Sequence, residues 1–335
     1  MNSTIRDVAR AAGVGIATVS RVLHGHSTVS LELKQRVERA VAQLGYEPNA
    51  AAQTMRTKSS RLIACAVRDS AYSELAHFVR SAEAVIRDAG YTFLLTNTDE
   101  QVQREVGLVR LLARRHIDGL LIAKSADRDE TLNEALASLG APVVFIDRDV
   151  LPFADSVTID HRRGVRAAVD YLVSLGHTRI GLVTGSSSMR PGRERIEAFT
   201  EALQAHRLPI DPGLIGSHSF FPDPAFDSVS GMLDRKSSPT AIISGGMALL
   251  SGVLRAVKLR GLVIGRDISI IAGCDSELAA LMAPTITAIR WDVTAWGRMS
   301  AQLLLSRIQS ADLAAGRQIL LSTELIIRDS CGPPP

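Results

Sequence analysis

Eight histidines and three cysteines are the side chains best suited to metal binding or nucleophilic attack, and their spacing supports neither. Cys65, Cys274 and Cys331 are scattered and odd in number, with no CxxC or Cys/His pattern of the zinc-binding kind, so free thiols in a reducing compartment are expected. The sequence holds no GxxxxGK(S/T) phosphate loop, no GxGxxG after a strand, no HExxH and no GxSxG elbow. An enzyme is therefore not expected, nor is a metal or a cofactor. What does cluster is positive charge. Residues 1–60 carry eight basic side chains (Arg6, Arg10, Arg21, Lys34, Arg36, Arg39, Arg56, Lys58) against four acids, while the remainder carries 30 basic and 31 acidic residues. A basic head on a neutral body implies a polyanionic partner for the head alone.

The elements that position this charge are short helices. Thr4 reads as an N-cap with Asp7 three residues on, and Ile5, Val8, Ala9 and Ala12 share one helical face. Gly13 breaks that helix. A second runs from about Gly15 to Leu23, burying Val19, Val22 and Leu23; a third follows Ser30, burying Leu33, Val37, Ala40, Val41 and Leu44 before Gly45. Three short helices with a tight glycine turn between the first two are a helix-turn-helix arrangement. Pro48 can start a fourth helix over 49–56, and Thr57-Lys58-Ser59-Ser60 reads as a linker.

From Arg61 the texture changes to apolar runs alternating with amphipathic helices. Strands are expected near 62–67, 92–96, 119–123, 143–147 and 157–160, then in a second series near 180–184, 214–219, 241–244, 268–273 and 287–290. Continuous apolar strands separated by helices mean parallel sheets covered on both faces. Two such series in tandem imply two doubly wound lobes with a ligand at the carboxyl ends of their strands. No apolar run is long enough to span a bilayer and no secretory signal follows Met1, so a cytoplasmic location without membrane association is expected. The closing Pro333-Pro334-Pro335 reads as an unstructured end.

The string Thr4-Ile5-Arg6-Asp7-Val8-Ala9-Arg10-Ala11-Ala12-Gly13-Val14, followed by Ala17-Thr18-Val19-Ser20-Arg21-Val22-Leu23 and Leu44-Gly45-Tyr46-Glu47-Pro48-Asn49-Ala50, closely resembles the head of the lactose-repressor (LacI/GalR) family. The resemblance continues through Asp118-Gly119-Leu120-Leu121-Ile122, Ile146-Asp147-Arg148, Leu175-Gly176-His177-Thr178-Arg179-Ile180 and Pro284 to Ile289. It implies an α/β fold class: an N-terminal all-α helix-turn-helix head plus a two-lobed, periplasmic-binding-protein-like body of doubly wound parallel sheets. The implied domains are a DNA-binding head over 1–47, a hinge helix and linker over 48–60, and an effector-binding and dimerisation domain over 61–330. Within the last, lobe 1 takes about 61–160 and 293–320, and lobe 2 about 162–289 and 322–330.

By that resemblance the second helix enters the major groove of double-stranded operator DNA with Ile16, Ala17, Ser20 and Arg21 exposed. Ile16 and Ala17 can touch thymine methyls only, so hydrogen-bonded readout falls on Arg21, suited to guanine or phosphate. Thr4, Thr18, Ser20, Thr28 and Ser30 are candidate phosphate contacts that fix register. Gly15 stands where serine is usual, which removes a side-chain contact. In the implied hinge helix Met55 occupies the position of a minor-groove leucine wedge, with Ala52 and Gln53 beside it.

The resemblance also implies effector contacts from Asp147, Arg195 and Asp275, whose carboxylates and guanidinium suit polyhydroxyl or carboxylate groups. Phe220 is a candidate apolar wall. Three departures bear on this site: Ser244-Gly245-Gly246-Met247 replaces a usual Ala-Asn-Asp, Cys274 replaces an aromatic, and the loop Arg68 to Ser73 is shortened. Arg190 and Lys124 add positive charge, pointing toward an acidic sugar or a phosphorylated ligand. The reading is a sequence-specific regulator, a repressor, whose operator affinity is set by a small metabolite, a sugar or sugar acid. It is expected to act as a homodimer on a pseudo-palindromic site, without the heptad tail of a tetramer. The alternative is a constitutive DNA-binding repressor whose effector site is atypical or lost; a pure solute-binding protein fits the body but not the basic head.

Overall fold

The computed structural model describes residues 3–23, 29–46, 59–246, 248–310 and 316–335. The chain forms two compact units, Met1–Ser60 and Arg61–Pro335.

The first unit holds three helices, α1 (Ile5–Ala12), α2 (Ile16–Leu23) and α3 (Leu31–Leu44). Thr4 and Asp7 form the expected capping box: the Thr4 hydroxyl donates to Asp7 Oδ2 at 2.6 Å, and the Thr4 backbone N–H donates to the same oxygen at 3.0 Å. Gly13 ends α1 in the left-handed region at φ 62°. Arg36 of α3 lies over this turn, its Nη2 donating to Ala12 O at 2.7 Å and Gly13 O at 3.3 Å. A Cβ at position 13 would come within 2.7 Å of that nitrogen, so glycine is required there by both backbone and space. Arg36 thus satisfies carbonyls at the carboxyl end of α1. The small core is Val8, Ala9, Ala12, Val19, Val22, Val37 and Ala40, with Leu23, Val41 and Leu44 only partly buried around it.

In the second unit, β1 (Leu62–Val67), β2 (Thr92–Asn97), β3 (Gly119–Ile122), β4 (Val143–Ile146), β5 (Asp155–Ile159) and β11 (Gln318–Leu321) form a parallel sheet in the order β11-β5-β4-β3-β1-β2. A second sheet has the order β12-β10-β9-β8-β6-β7, built from β6 (Ile180–Gly185), β7 (Ile215–His218), β8 (Ala241–Gly245), β9 (Ser269–Ala272), β10 (Thr287–Arg290) and β12 (Glu324–Ile326). Only β12 runs antiparallel to its neighbour in that sheet. The apolar runs are explained by burial on both faces. Ile63, Cys65 and Val67 of β1 pack on one side with Phe78 and Trp296, while the alternate Ala64 and Ala66 pack on the other with Leu132 and Leu136.

Helices α4 (Ser73–Asp88), α5 (Val102–Arg114), α6 (Glu130–Ala137) and α12 (Val293–Gln309) accompany the first sheet. The second has α7 (His161–Ser174), α8 (Arg190–Ala205), α9 (Pro222–Leu233), α10 (Leu249–Leu259) and α11 (Glu277–Leu281). The chain crosses between the sheets three times, after β5, β10 and β11. Strands β11 and β12 are additions to the expected set; both are short edge strands without a buried alternation. Just before the closing prolines, the Gly332 N–H donates to Ser269 Oγ at 3.1 Å and its carbonyl meets His177 Nε2 at 2.9 Å.

Candidate functional site

In the head, α2 presents Ile16, 46% exposed, together with exposed Ala17 and Arg21, and Ser20 and Thr18 half-buried beside them. The spacing follows from Val19 and Val22 facing the core. Two of the hydroxyls expected at phosphates already have structural partners. Thr4 is bound in the capping box, and Ser30 Oγ accepts from Leu33 N to cap α3. Thr28, Ala52, Gln53 and Met55 lie outside the described residues.

In the body, a cavity of about 70 Å³ lies where strand ends of the two sheets face each other. Its polar lining is Arg68, which follows β1, Asp147 and Arg148, which follow β4, and Arg195 on α8; Phe220 and Gly246 complete the second-lobe side. Asp147, Arg195 and Phe220 are thus brought together as expected from the resemblance. Asp275 is not. It lines a separate depression with Ser73 and His77, its carboxylate held at 2.8 Å by both Arg290 and Arg328. Those two cations draw the side chain away from the cavity, and its carboxyl stays below the usual range: burial would raise it, but the two guanidiniums prevail.

The Asp147 carboxylate has three partners. It accepts from Ile159 N at 3.1 Å and Arg190 Nη1 at 2.9 Å, and meets His161 Nε2 at 2.7 Å. Burial pushes this carboxyl up, but the His161 ring and the guanidiniums of Arg190 and Arg148 hold it well below the usual range. His161 is pulled down to about 4, first by burial and then by Arg195, so near neutrality it is uncharged and donates its Nε2 proton to Asp147. Further contacts tie the lobes together around the cavity. Arg190 N donates to Asp127 Oδ2 at 2.5 Å, Arg193 pairs with Asp149 at 2.7 Å, and Phe220 N donates to Glu100 at 3.3 Å.

Arg195 is 4% exposed and makes no hydrogen bond to any described residue; its Nη1 is buried without a partner. Burial lowers it to about 10, with Asp147 acting in the opposite direction, so it remains a cation. Arg68 keeps a buried, unpartnered Nε and one long contact of 3.4 Å to Glu100. Arg148 donates to the carbonyls of Lys124 and Asp147 and has no acidic ion-pair partner among the described residues. The Phe220 ring centroid lies 5.4 Å from the Arg68 guanidinium carbon and 5.7 Å from that of Arg195.

Phe220 also accounts for the glycines. A Cβ at Gly185 would lie 2.1 Å from its ring and one at Gly246 would lie 2.8 Å from it. The absent amide at position 246 and the buried phenylalanine are therefore one feature, since both cannot occupy the same space. Cys274, the other departure, is buried in the first-lobe core and does not line the cavity. Sequence reasoning missed Arg68, Arg148 and Trp296 as lining residues. Arg68 could have been found from its place directly after β1, because ligands bind at the carboxyl ends of parallel strands.

A helix-turn-helix head on a pair of doubly wound lobes that share a cavity defines the ligand-responsive DNA-binding regulators. Comparison with known proteins agrees. Residues 4–49 match the model described as bacterial regulatory proteins, lacI family, and residues 169–331 match the periplasmic binding protein-like domain. The HTH-type transcriptional regulator DegA of Bacillus subtilis (strain 168) is 30% identical over 337 residues, covering 99% of each chain. Among solved structures, the Lac repressor dimer bound to operator and the anti-inducer ONPF aligns with a TM-score of 0.82 and 27% identity, over 98% of this chain and 99% of that one. A complex of the transcriptional regulator CelR with cellobiose aligns at 0.74 and 29%, over 98% and 100%. The chain belongs to the lacI family of bacterial regulatory proteins and is a transcriptional regulator rather than an enzyme. No helix among the described residues is long and apolar enough to cross a membrane.

Proposed function

We propose that this regulator is a homodimeric repressor that grips a pseudo-palindromic operator with its heads and releases or tightens that grip when a small metabolite, a sugar or sugar acid, occupies the Arg195 cavity. The observation that carries this reading is the cavity's position. It is walled by both lobes and ringed by direct bonds between them, so an occupant of different size or charge must change the angle at which the lobes meet. The related Lac repressor was solved as a dimer on operator, and CelR with a sugar. A single helix-turn-helix makes few base contacts, and two-fold pairing is the usual remedy. Edge strand β2 exposes Leu94 and Leu95 and α11 exposes Leu278 and Leu281, apolar surface suited to pairing of two bodies.

In this mechanism Arg21 reads a guanine edge, Ile16 and Ala17 lie against thymine methyls, and the segment 49–56 carries Met55 into the central minor groove. Lobe rotation changes the separation of the two such segments and so their fit to DNA. One observation favours the alternative of a constitutive repressor: the Phe220 ring occupies the space beside Gly185 and Gly246. A binding assay on an operator selected from random duplexes separates the two. The proposal expects Arg21→Ala to lose about 1–3 kcal/mol of specific affinity and expects a metabolite to shift the affinity of the unaltered chain. Affinity that no metabolite moves would establish the constitutive reading, and unchanged affinity in Arg21→Ala would remove that residue from the readout.

A further inference from the structure

We infer that the effector carries an acid group, a carboxylate or a phosphate monoester, received by the guanidiniums of Arg195 and Arg68 beside Phe220. The inference rests on the effector reading above and narrows it from sugars in general to anions. Its first support is charge. The cavity lining holds three guanidiniums, Arg68, Arg148 and Arg195, against one carboxylate, Asp147. That carboxylate already accepts from Ile159, His161 and Arg190. Arg195 is a buried cation with an unpartnered Nη1, and no carboxylate of a described residue forms a direct ion pair with it, although Asp147 and Glu194 act on it from further off.

The second support is the inventory of hydrogen-bond groups. Guanidinium nitrogens only donate. Each hydroxyl of a neutral sugar brings a donor that needs an acceptor, and the one lining carboxylate is already taken. The rest of the wall is apolar: Leu75, Ala123, Ile146, Pro191 and Trp296. An acid group reverses the mismatch, because it brings acceptors alone and can take charge-assisted bonds from the lining guanidiniums of Arg195 and Arg68. The volume of about 70 Å³ suits a compact acid in the lobe arrangement seen, and a larger sugar acid would enter with the lobes further apart.

The test uses the full chain and matched probes: D-glucose against D-glucuronate and glucose 6-phosphate, with malate and inorganic phosphate as compact acids. Melting temperature and operator affinity are both followed. The acids are expected to raise the melting temperature by several degrees at saturating concentration while glucose does not, and Arg195→Gln and Arg68→Gln each remove the response. Which probe acts separates carboxylate from phosphate. A readout free of ligand is Arg195→Met, expected to raise the melting temperature of the unliganded chain because it removes a buried charge that has no direct ion pair. Equal stabilisation by glucose and glucuronate overturns the acid-group inference and leaves the effector reading standing, as does a lowered melting temperature in unliganded Arg195→Met. Failure of every probe, neutral and charged, to move either quantity removes both.

Discussion

The buried pair Asp147–Arg190 joins the lobes, and its removal has a consequence that can be calculated. At 2.9 Å the direct attraction is about 6 kcal/mol with an effective dielectric near 20, and desolvation of both partners takes back several of these. Arg190→Met deletes the cation but leaves Asp147 ionised, 5% exposed, and supported by a neutral His161 and one backbone N–H. Breaking a buried pair from one side costs about 3–5 kcal/mol. Asp147→Asn is milder, because Arg190 keeps Glu194 at 2.8 Å. The double variant should cost about 2 kcal/mol less than the two single losses together, since neither charge is then left alone. Urea unfolding followed by tryptophan fluorescence measures this in the body alone, as the chain's two tryptophans, Trp291 and Trp296, both lie there. The Arg190→Met loss should also be nearly independent of salt, because the pair is buried. Additivity within about 0.5 kcal/mol would show that the two side chains do not act as a pair.

Three further outcomes follow from the same structure. His161 titrates near 4 when folded against 6.5 as a free side chain, so the unfolded chain takes the proton first; stability is complete above about pH 6.5 and falls by roughly 3 kcal/mol as pH drops toward 4. His161→Gln should flatten the stability curve in that window, and an unchanged slope would assign the loss to other groups. Thr4→Ala removes the capping box of α1 and should cost the head about 1 kcal/mol, seen as earlier loss of helical signal in a thermal melt of the full chain; no change would mean Asp7 caps α1 unaided. Gly185→Ala puts a methyl 2.1 Å from the Phe220 ring and should destabilise the body by about 1–3 kcal/mol, with recovery in Gly185→Ala/Phe220→Leu. Equal loss in the double variant would mean the ring is not the obstacle.

Local signals in the sequence were sufficient for much of this architecture. Thr4 with Asp7, Gly13 and Gly45 announce helix ends through side-chain and backbone chemistry confined to a few residues. The runs at Leu62–Val67 and Thr287–Arg290 announce strands because both of their faces are buried. Strands β11 and β12 escaped notice because they are only four and three residues long and lie at sheet edges. The site was legible in its members but not in its bonding. Asp147, Arg195 and Phe220 could be named from family resemblance, yet the capture of Asp147 by Ile159, His161 and Arg190 depends on three segments meeting at the lobe junction. Asp275 could not be separated from the cavity without knowing that Arg290 and Arg328 converge on it. The missing amide at Gly246 reads as a defect in the sequence, and becomes intelligible only when Phe220, from another segment, is found in that space.

The central claim is that the cavity and the head are coupled, and operator affinity measured by fluorescence anisotropy tests it most directly. The full chain and Arg195→Gln are titrated onto a selected operator with and without the acid that stabilises the unaltered protein. A ligand-dependent change of about 5–150-fold is expected in the unaltered chain, and none in Arg195→Gln at the same ligand concentration. An operator affinity indifferent to that ligand, or an Arg195→Gln chain that responds as fully as the original, would contradict it.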